Sequence, residues 1–216
     1  MSLFQDPAGA VLNLIVLLLS LTFHEFFHAW SAWHLGDDTA ARAGRLTLNP
    51  VPHIDLFGTI LLPLMNAPIG WAKPVPVNPS RFDRKFRMGT GDIIVSSAGP
   101  LSNLLLGLLA AILLGVLARF APDVVGGGSA AYALLNRFMI VNAGLALFNL
   151  LPIPPLDGGH VAESLMPYRW RGAWERFARI SPFLLIFVIL FGGSFISGPI
   201  RFVYGILWNV AAHIAG

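Results

Sequence analysis

From Ala8 to about Leu35 the only formally charged side chain is Glu25, and Gly36 closes the run. A membrane-spanning helix needs about 20 apolar residues, so the pattern predicts one over 8–35. Asp6 and Pro7 suit its start, as a side-chain acceptor at the N-cap followed by proline at the first helical position. No charged residue lies between Asp92 and Arg119, which predicts a second span over 92–119. "APDVVGGGS" reads as a short loop. A third span then runs over 131–151, until "PIPPLDGGH" breaks it. A fourth apolar run covers 180–197. After "SGP", residues 201–216 are apolar but short for a span, and are expected in the interface or partly inserted.

Residues 37–91 interrupt this pattern. "DDTAARAGRLTLNPVPHID" is polar and turn-rich, and "WAKPVPVNPSRFDRKFRMG" carries several prolines and bases. Between them "LFGTILLPLMNAPIG" is apolar, but it is too short and too broken by Pro63 and Pro68 to span. Non-helical backbone at membrane depth is tolerated only when buried in protein or lining a cavity. Residues 56–78 therefore read as a re-entrant or strand-like hairpin beside the helices. The expected fold is an all-α polytopic membrane protein, with 1–216 as a single membrane-embedded domain.

Composition agrees. Of 216 residues, 56% are hydrophobic and 12% charged, against about 25% charged in soluble domains. The net charge is only +3, and the bases sit in loops between apolar segments, which argues against a nucleic-acid role. That distribution sets orientation instead. Arg42, Arg45, Lys73, Arg81, Arg84, Lys85 and Arg87 follow the first span, and Arg169, Arg171, Arg176 and Arg179 follow the third. The other side holds only Arg119, Arg137 and Arg201, near span ends. The N-terminus is then expected outside and both long polar segments in the cytoplasm. No base precedes the first apolar run and no small-x-small site follows it, so it reads as a retained span and not a cleaved signal. There is no cysteine, which excludes disulfides and thiolate metal sites.

The chemistry concentrates in "HEFFH". On a helix, His24 and His28 are four residues apart and face the same way. Two imidazoles so placed can bind one zinc, with Glu25 beside them working on a metal-bound water. Zinc brings the pKa of that water from about 16 to about 7. The pattern could also arise by chance. A glutamate inside a spanning helix costs about 2.5 kcal/mol or more, however, and ionisable groups at that depth are functional candidates.

A zinc hydrolase needs a third protein ligand. His34 has the spacing of a soluble three-histidine pattern, but Ser31 stands where that pattern needs a glycine to turn the chain. On a continuous helix His34 lies about 15 Å along the axis from His24, so it reads as interfacial. Asp157, in "NLLPIPPLDGGH", is the better candidate: prolines break the third span, and the double glycine lets backbone pass closely. His160 competes with it, since carboxylate and imidazole both suit zinc; otherwise it caps the turn. His53 and His213 look like loop and interface residues. Asn103 reads as packing, with Gly99 and Pro100 allowing close helix approach.

The stretches "FHEFFHAW", "GWAKPVPVNPSRF", "SAGPLSNLLL" and "NLLPIPPLDGGH" together resemble the site-2 protease family of intramembrane zinc metalloproteases. They extend over most of residues 23–160, and the pairing of the first and last is highly specific. The spacing looks like the compact subgroup without PDZ or CBS domains. The resemblance implies a three-helix core around one zinc, with water entering from the cytoplasmic side; the apolar runs after it lead us to expect one or two further C-terminal helices. It implies His24, His28 and Asp157 as ligands and Glu25 as the base. It also implies a role for Asn149 in holding substrate or the developing oxyanion. Side-chain amides can do this; equally, Asn149 could be a structural amide bonding backbone freed by Pro152. "GWAKPVPVNP" would suit β-addition of an unwound substrate strand.

The favoured reading is a zinc endopeptidase in the cell membrane of a prokaryote. Its partners would be the lipid bilayer and transmembrane protein or peptide substrates, and nothing indicates its oligomeric state. A divalent-metal transporter or binder is the alternative. It needs polar residues in several spans, and the second offers only Asn103 and small residues. A catalytically dead scaffold fits poorly, because ligands and base are all present.

Overall fold

The computed structural model describes residues 6–64, 70–126 and 128–216. Among the described residues, three single helices are long and apolar enough to cross a membrane: α1 (Pro7–His34), α2 (Met88–Phe120) and α3 (Ala130–Asn149). Asp6 caps α1 as expected, its carboxylate accepting from Gly9 N at 2.9 Å. Ser129 caps α3, accepting from Tyr132 N. A short helix α4 (Asp157–Leu165) follows the proline-rich break, and two longer helices close the chain, α5 (Arg171–Phe191) and α6 (Gly193–Ala215). Among the described residues there is no strand.

α2 is the hub, packed against α1, α3, α4 and α6. Gly107, Ala111 and Gly115 fall at four-residue intervals along it and leave room for α6. A Cβ on Gly115 would stand 2.6 Å from Ala211 O, and one on Gly107 3.1 Å from Leu207 Cδ1. Small residues at this spacing let helix backbones approach closely in lipid. Leu114, Leu135, Met139, Leu207 and Ala211 fill the seam between α2, α3 and α6.

The end of the chain differs from the sequence expectation. Neither a fourth helix ending near 197 nor a separate segment from 201 is present. The break falls at Gly192, where the axes of the flanking helices bend by 70°. Only glycine fits there, since a side chain at Gly192 would stand 2.4 Å from Val188 O. Pro199 lies inside α6; spanning helices tolerate such a proline when neighbours resatisfy the freed backbone. α6 follows α2 as far as Arg119, whose Nη1 donates to Ile214 O at 3.3 Å. It is therefore residues 193–215, and not 180–197, that pack along the core.

The expected hairpin over 56–78 begins instead as helical turns over Leu56–Leu64. The expected hairpin's tip, residues 65–69, lies outside the described residues. Residues 70–78 then form an irregular arm with a two-residue rhythm. The N–H groups of Trp71, Lys73 and Val75 donate to Gly58 O, His53 O and Glu25 Oε2. The alternate positions include Pro74 and Pro76, which have no N–H to satisfy. His53 is buried and not a surface loop residue. Its Nε2 meets Thr47 O at 3.0 Å, and the buried Arg45 beside it donates to Lys73 O. Nearby, the Arg42 guanidinium beside Asp38 holds that carboxyl below the usual carboxylate range.

Candidate active site

His24 and His28 occupy one face of α1, one turn apart, and are buried against α2. Their rings enter space that exists because residue 99 has no side chain: a Cβ on Gly99 would stand 2.3 Å from His28 Nε2 and 2.7 Å from His24 Cε1. Asp157 arrives from the other side as the first residue of α4. The two glycines after it let α4 rest directly on the loop before it. A Cβ on Gly158 would stand 2.3 Å from Leu150 O, and one on Gly159 2.8 Å from Pro154 N.

The three side chains converge. His24 Nε2 is 3.0 Å from His28 Nε2 and 3.1 Å from Asp157 Oδ2, and His28 Nε2 is 3.3 Å from Asp157 Oδ1. Four-coordinate zinc holds nitrogen and oxygen ligands at about 2.0–2.2 Å, which spaces those atoms by about 3.3 Å. The proton positions fit as well. His28 Nδ1 faces the main-chain carbonyl of Val95 at 2.7 Å, and a carbonyl only accepts. His24 Nδ1 faces Asn103 Oδ1 at 2.7 Å. A neutral ring at either position would donate outward through Nδ1 and turn its Nε2 lone pair inward. Asp157 Oδ2 is buried without a hydrogen-bond partner. Such a set of inward lone pairs and a carboxylate could hold a divalent cation, and the donor types suit zinc.

The remaining candidates fall around this group. Glu25 is buried and accepts from Val75 N at 2.8 Å, so the arm reaches the residue next to His24. Asn149 ends α3, and its Nδ2 donates to Leu145 O at 3.0 Å, one turn back on its own helix. It is not bonded to backbone freed by Pro152. His160 lines the same cleft but stays outside the cluster of three. His34 faces Trp30 O on the exposed end of α1, and His213 is exposed on α6. Asn103 does more than pack, because it is fully buried and bonded to His24. Asn142, its neighbour on α3, escaped sequence reasoning. The rule applied to Glu25, that polar groups in a span need a reason, would have flagged both asparagines.

A cleft of about 830 Å³ opens onto the cluster. Its walls are mainly apolar, with Leu21, Trp71, Val75, Leu145, Phe148 and Ile186 among them.

Comparison with known proteins then decides the family. A model of peptidase family M50 matches residues 123–192. "Putative zinc metalloprotease YwhC" of Bacillus subtilis is 40% identical over 192 residues, covering 86% of this chain and 83% of that protein. The chain belongs to peptidase family M50, the site-2 protease family. "Putative zinc metalloprotease Rip2" of Mycolicibacterium smegmatis is 34% identical over 177 residues, covering 80% of this chain and 64% of the relative. "Zinc metalloprotease MJ0392" of Methanocaldococcus jannaschii is 29% identical over 104 residues, 47% of this chain and 28% of that one. No solved structure matches. The protease is thus a zinc metalloenzyme and a multi-pass membrane protein.

Proposed function

We propose that the protease is an intramembrane endopeptidase, hydrolysing peptide bonds in or near transmembrane segments of membrane-protein substrates. One observation carries this reading. A metal-competent trio, beside a buried glutamate, lies among helices long and apolar enough to cross a bilayer. A soluble protease has no use for that setting.

In this reading His24, His28 and Asp157 hold one zinc. Zinc bound there would supply a Lewis acid for the scissile carbonyl and bring the pKa of a water it polarises to about 7. Glu25 takes the proton from the attacking water and delivers it to the leaving amine. The Val75 N–H keeps one Glu25 oxygen fixed, so the carboxylate does not rotate freely in the cleft. Asn149 lies on the cleft wall with one amide N–H committed to Leu145 O. Its second N–H is available to hold substrate or the developing oxyanion. The apolar walls suit an unwound hydrophobic segment. The arm is bonded to the body through alternate residues. A substrate strand would therefore lie along its other edge and donate N–H groups to the Pro74 and Pro76 carbonyls. The active site lies toward the cytoplasmic side of the prokaryotic cell membrane, where the basic loops are expected.

The test is reconstitution in liposomes with a labelled transmembrane peptide. Wild type is expected to cleave it. Glu25→Gln is expected to retain zinc and lose about 10²–10⁴-fold in rate, the usual worth of a general base. If wild type cuts nothing in any detergent or lipid but carries zinc across the bilayer, the transporter reading replaces this one.

A further inference from the structure

A buried polar network lies behind His24, on the side away from His28 and Asp157. It joins Ser20 on α1, Asn103 on α2 and Asn142 on α3, all fully buried. Asn103 Nδ2 donates to Ser20 O at 3.2 Å and to Asn142 Oδ1 at 2.8 Å. Asn142 Nδ2 donates to Ser20 Oγ and to Phe138 O, both at 2.9 Å. Main-chain carbonyls only accept, so those of Ser20 and Phe138 each require the NH₂ end of the amide they meet. Turning either amide over would set oxygen against oxygen in a dry interior, where unpaired polar atoms are costly. Two backbone carbonyls thereby orient two side chains. Asn142 presents its oxygen to Asn103, and Asn103 presents its oxygen to His24 Nδ1. In a neutral His24 ring the proton then belongs on Nδ1, and Nε2 would face His28 and Asp157 with its lone pair.

We propose that Asn103, locked by Asn142 and Ser20, is a positioning residue that sets the tautomer and ring angle of His24 for metal binding. This rests on the reading of His24 Nε2 as a zinc ligand. Polar side chains between helices can serve as glue alone. Glue, however, requires neither a defined amide direction nor a bond ending on a histidine. Loss of the outer partner of a ligating histidine typically costs 10–100-fold in metal affinity.

The experiment uses the full chain in detergent. Zinc affinity is measured by chelator competition, and ligand geometry by the absorption bands of the cobalt-substituted protein. Asn103→Leu is expected to weaken zinc binding about 10–100-fold and to shift the cobalt bands. Asn103→Asp keeps an oxygen for Nδ1–H and should restore most of that loss. Asn142→Leu touches no metal-trio residue and should give a smaller loss in the same direction. Equal losses in Asn103→Leu and Asn103→Asp would mean a packing role and overturn the proposal. His24→Ala separates the two readings. If it binds zinc like wild type, the ligand assignment itself fails. If it loses zinc while Asn103→Leu does not, only the positioning role fails. Should Asn103→Leu not fold, Asn142→Leu decides alone, and unchanged affinity with unchanged cobalt bands overturns the proposal.

Discussion

Asp157 and His160 are three residues apart on α4, and both border the cleft. Distance separates them: the Asp157 oxygens come within 3.1 and 3.3 Å of the two imidazoles, whereas His160 joins no such group. Metal analysis of purified variants should show Asp157→Ala stripped of zinc and His160→Ala holding about one per chain, as one trio implies. The reverse result would make His160 the third ligand. At this scale the sequence was most readable where spacing alone brings groups together. His24 and His28 meet because four residues make a helical turn. Asp157 was narrowed to a pair by its broken span, but its choice over His160 depends on where α4 starts. That start is set by the close approach of Gly158 and Gly159 to backbone seven or eight residues earlier, or five, which no local pattern reports. Asn103 and Asn142 are 39 residues apart and meet only when α2 and α3 pack. Their partnership with His24 is a tertiary fact.

The arm over residues 70–78 is the element whose role is clearest only in three dimensions. Its prolines were legible in the sequence, within a stretch read as part of a re-entrant or strand-like hairpin. Their phase was not: Pro74 and Pro76 flank Val75, and Val75 N is the group that meets Glu25. A hydrogen bond to a charged group is worth about 1.5–3 kcal/mol, or about 10–100-fold in rate if it is needed only for orientation of the base. Val75→Pro removes the N–H in a stretch already suited to proline, whereas Val75→Ala keeps it. The expectation is full zinc content in both, near wild-type kcat in Val75→Ala, and a kcat lower by about tenfold or more in Val75→Pro. Equal kcat values for the two variants would show that the arm does not orient Glu25. α5 and α6 show the opposite difficulty. Residues 180–216 are apolar on both sides of two candidate breaks, at Gly192–Gly193 and at Ser197–Gly198–Pro199. Proline looked the stronger breaker. The glycine pair prevailed because packing of α6 along Gly107 and Gly115 favours one continuous helix from 193 onward.

For the whole molecule, the question is which way the bundle sits in the membrane. α1, α2 and α3 alternate in direction through short and long connections, so the C-terminal half of α1, the start of α2 and the end of α3 share one side. Asp157 and the arm lie on that side too. Seven Lys or Arg residues lie between Arg42 and Arg87, and four more between Arg169 and Arg179. The opposite connection, 121–129, has none. Arg137 lies further inside α3 than a span end, and it is accommodated by donating to Asn13 Oδ1 on α1. A Lys or Arg at a helix centre costs about 2.5–3.5 kcal/mol on insertion scales, and loop bases resist translocation. Turning the bundle over would carry eleven bases across the membrane. The metal trio, the arm and the basic loops should therefore all face the cytoplasm. The chain has no cysteine, so single cysteines can report without background. Arg42 and Arg171 are both exposed on the basic side, and Asp123 is exposed in the opposite loop. With an impermeant thiol reagent on intact cells, a cysteine at Asp123 should label at once. Cysteines at Arg42 and Arg171 should label only after permeabilisation. Ready labelling of either basic-side position from outside, with Asp123 protected, would invert the bundle. Water and substrate would then reach Glu25 from the extracytoplasmic face.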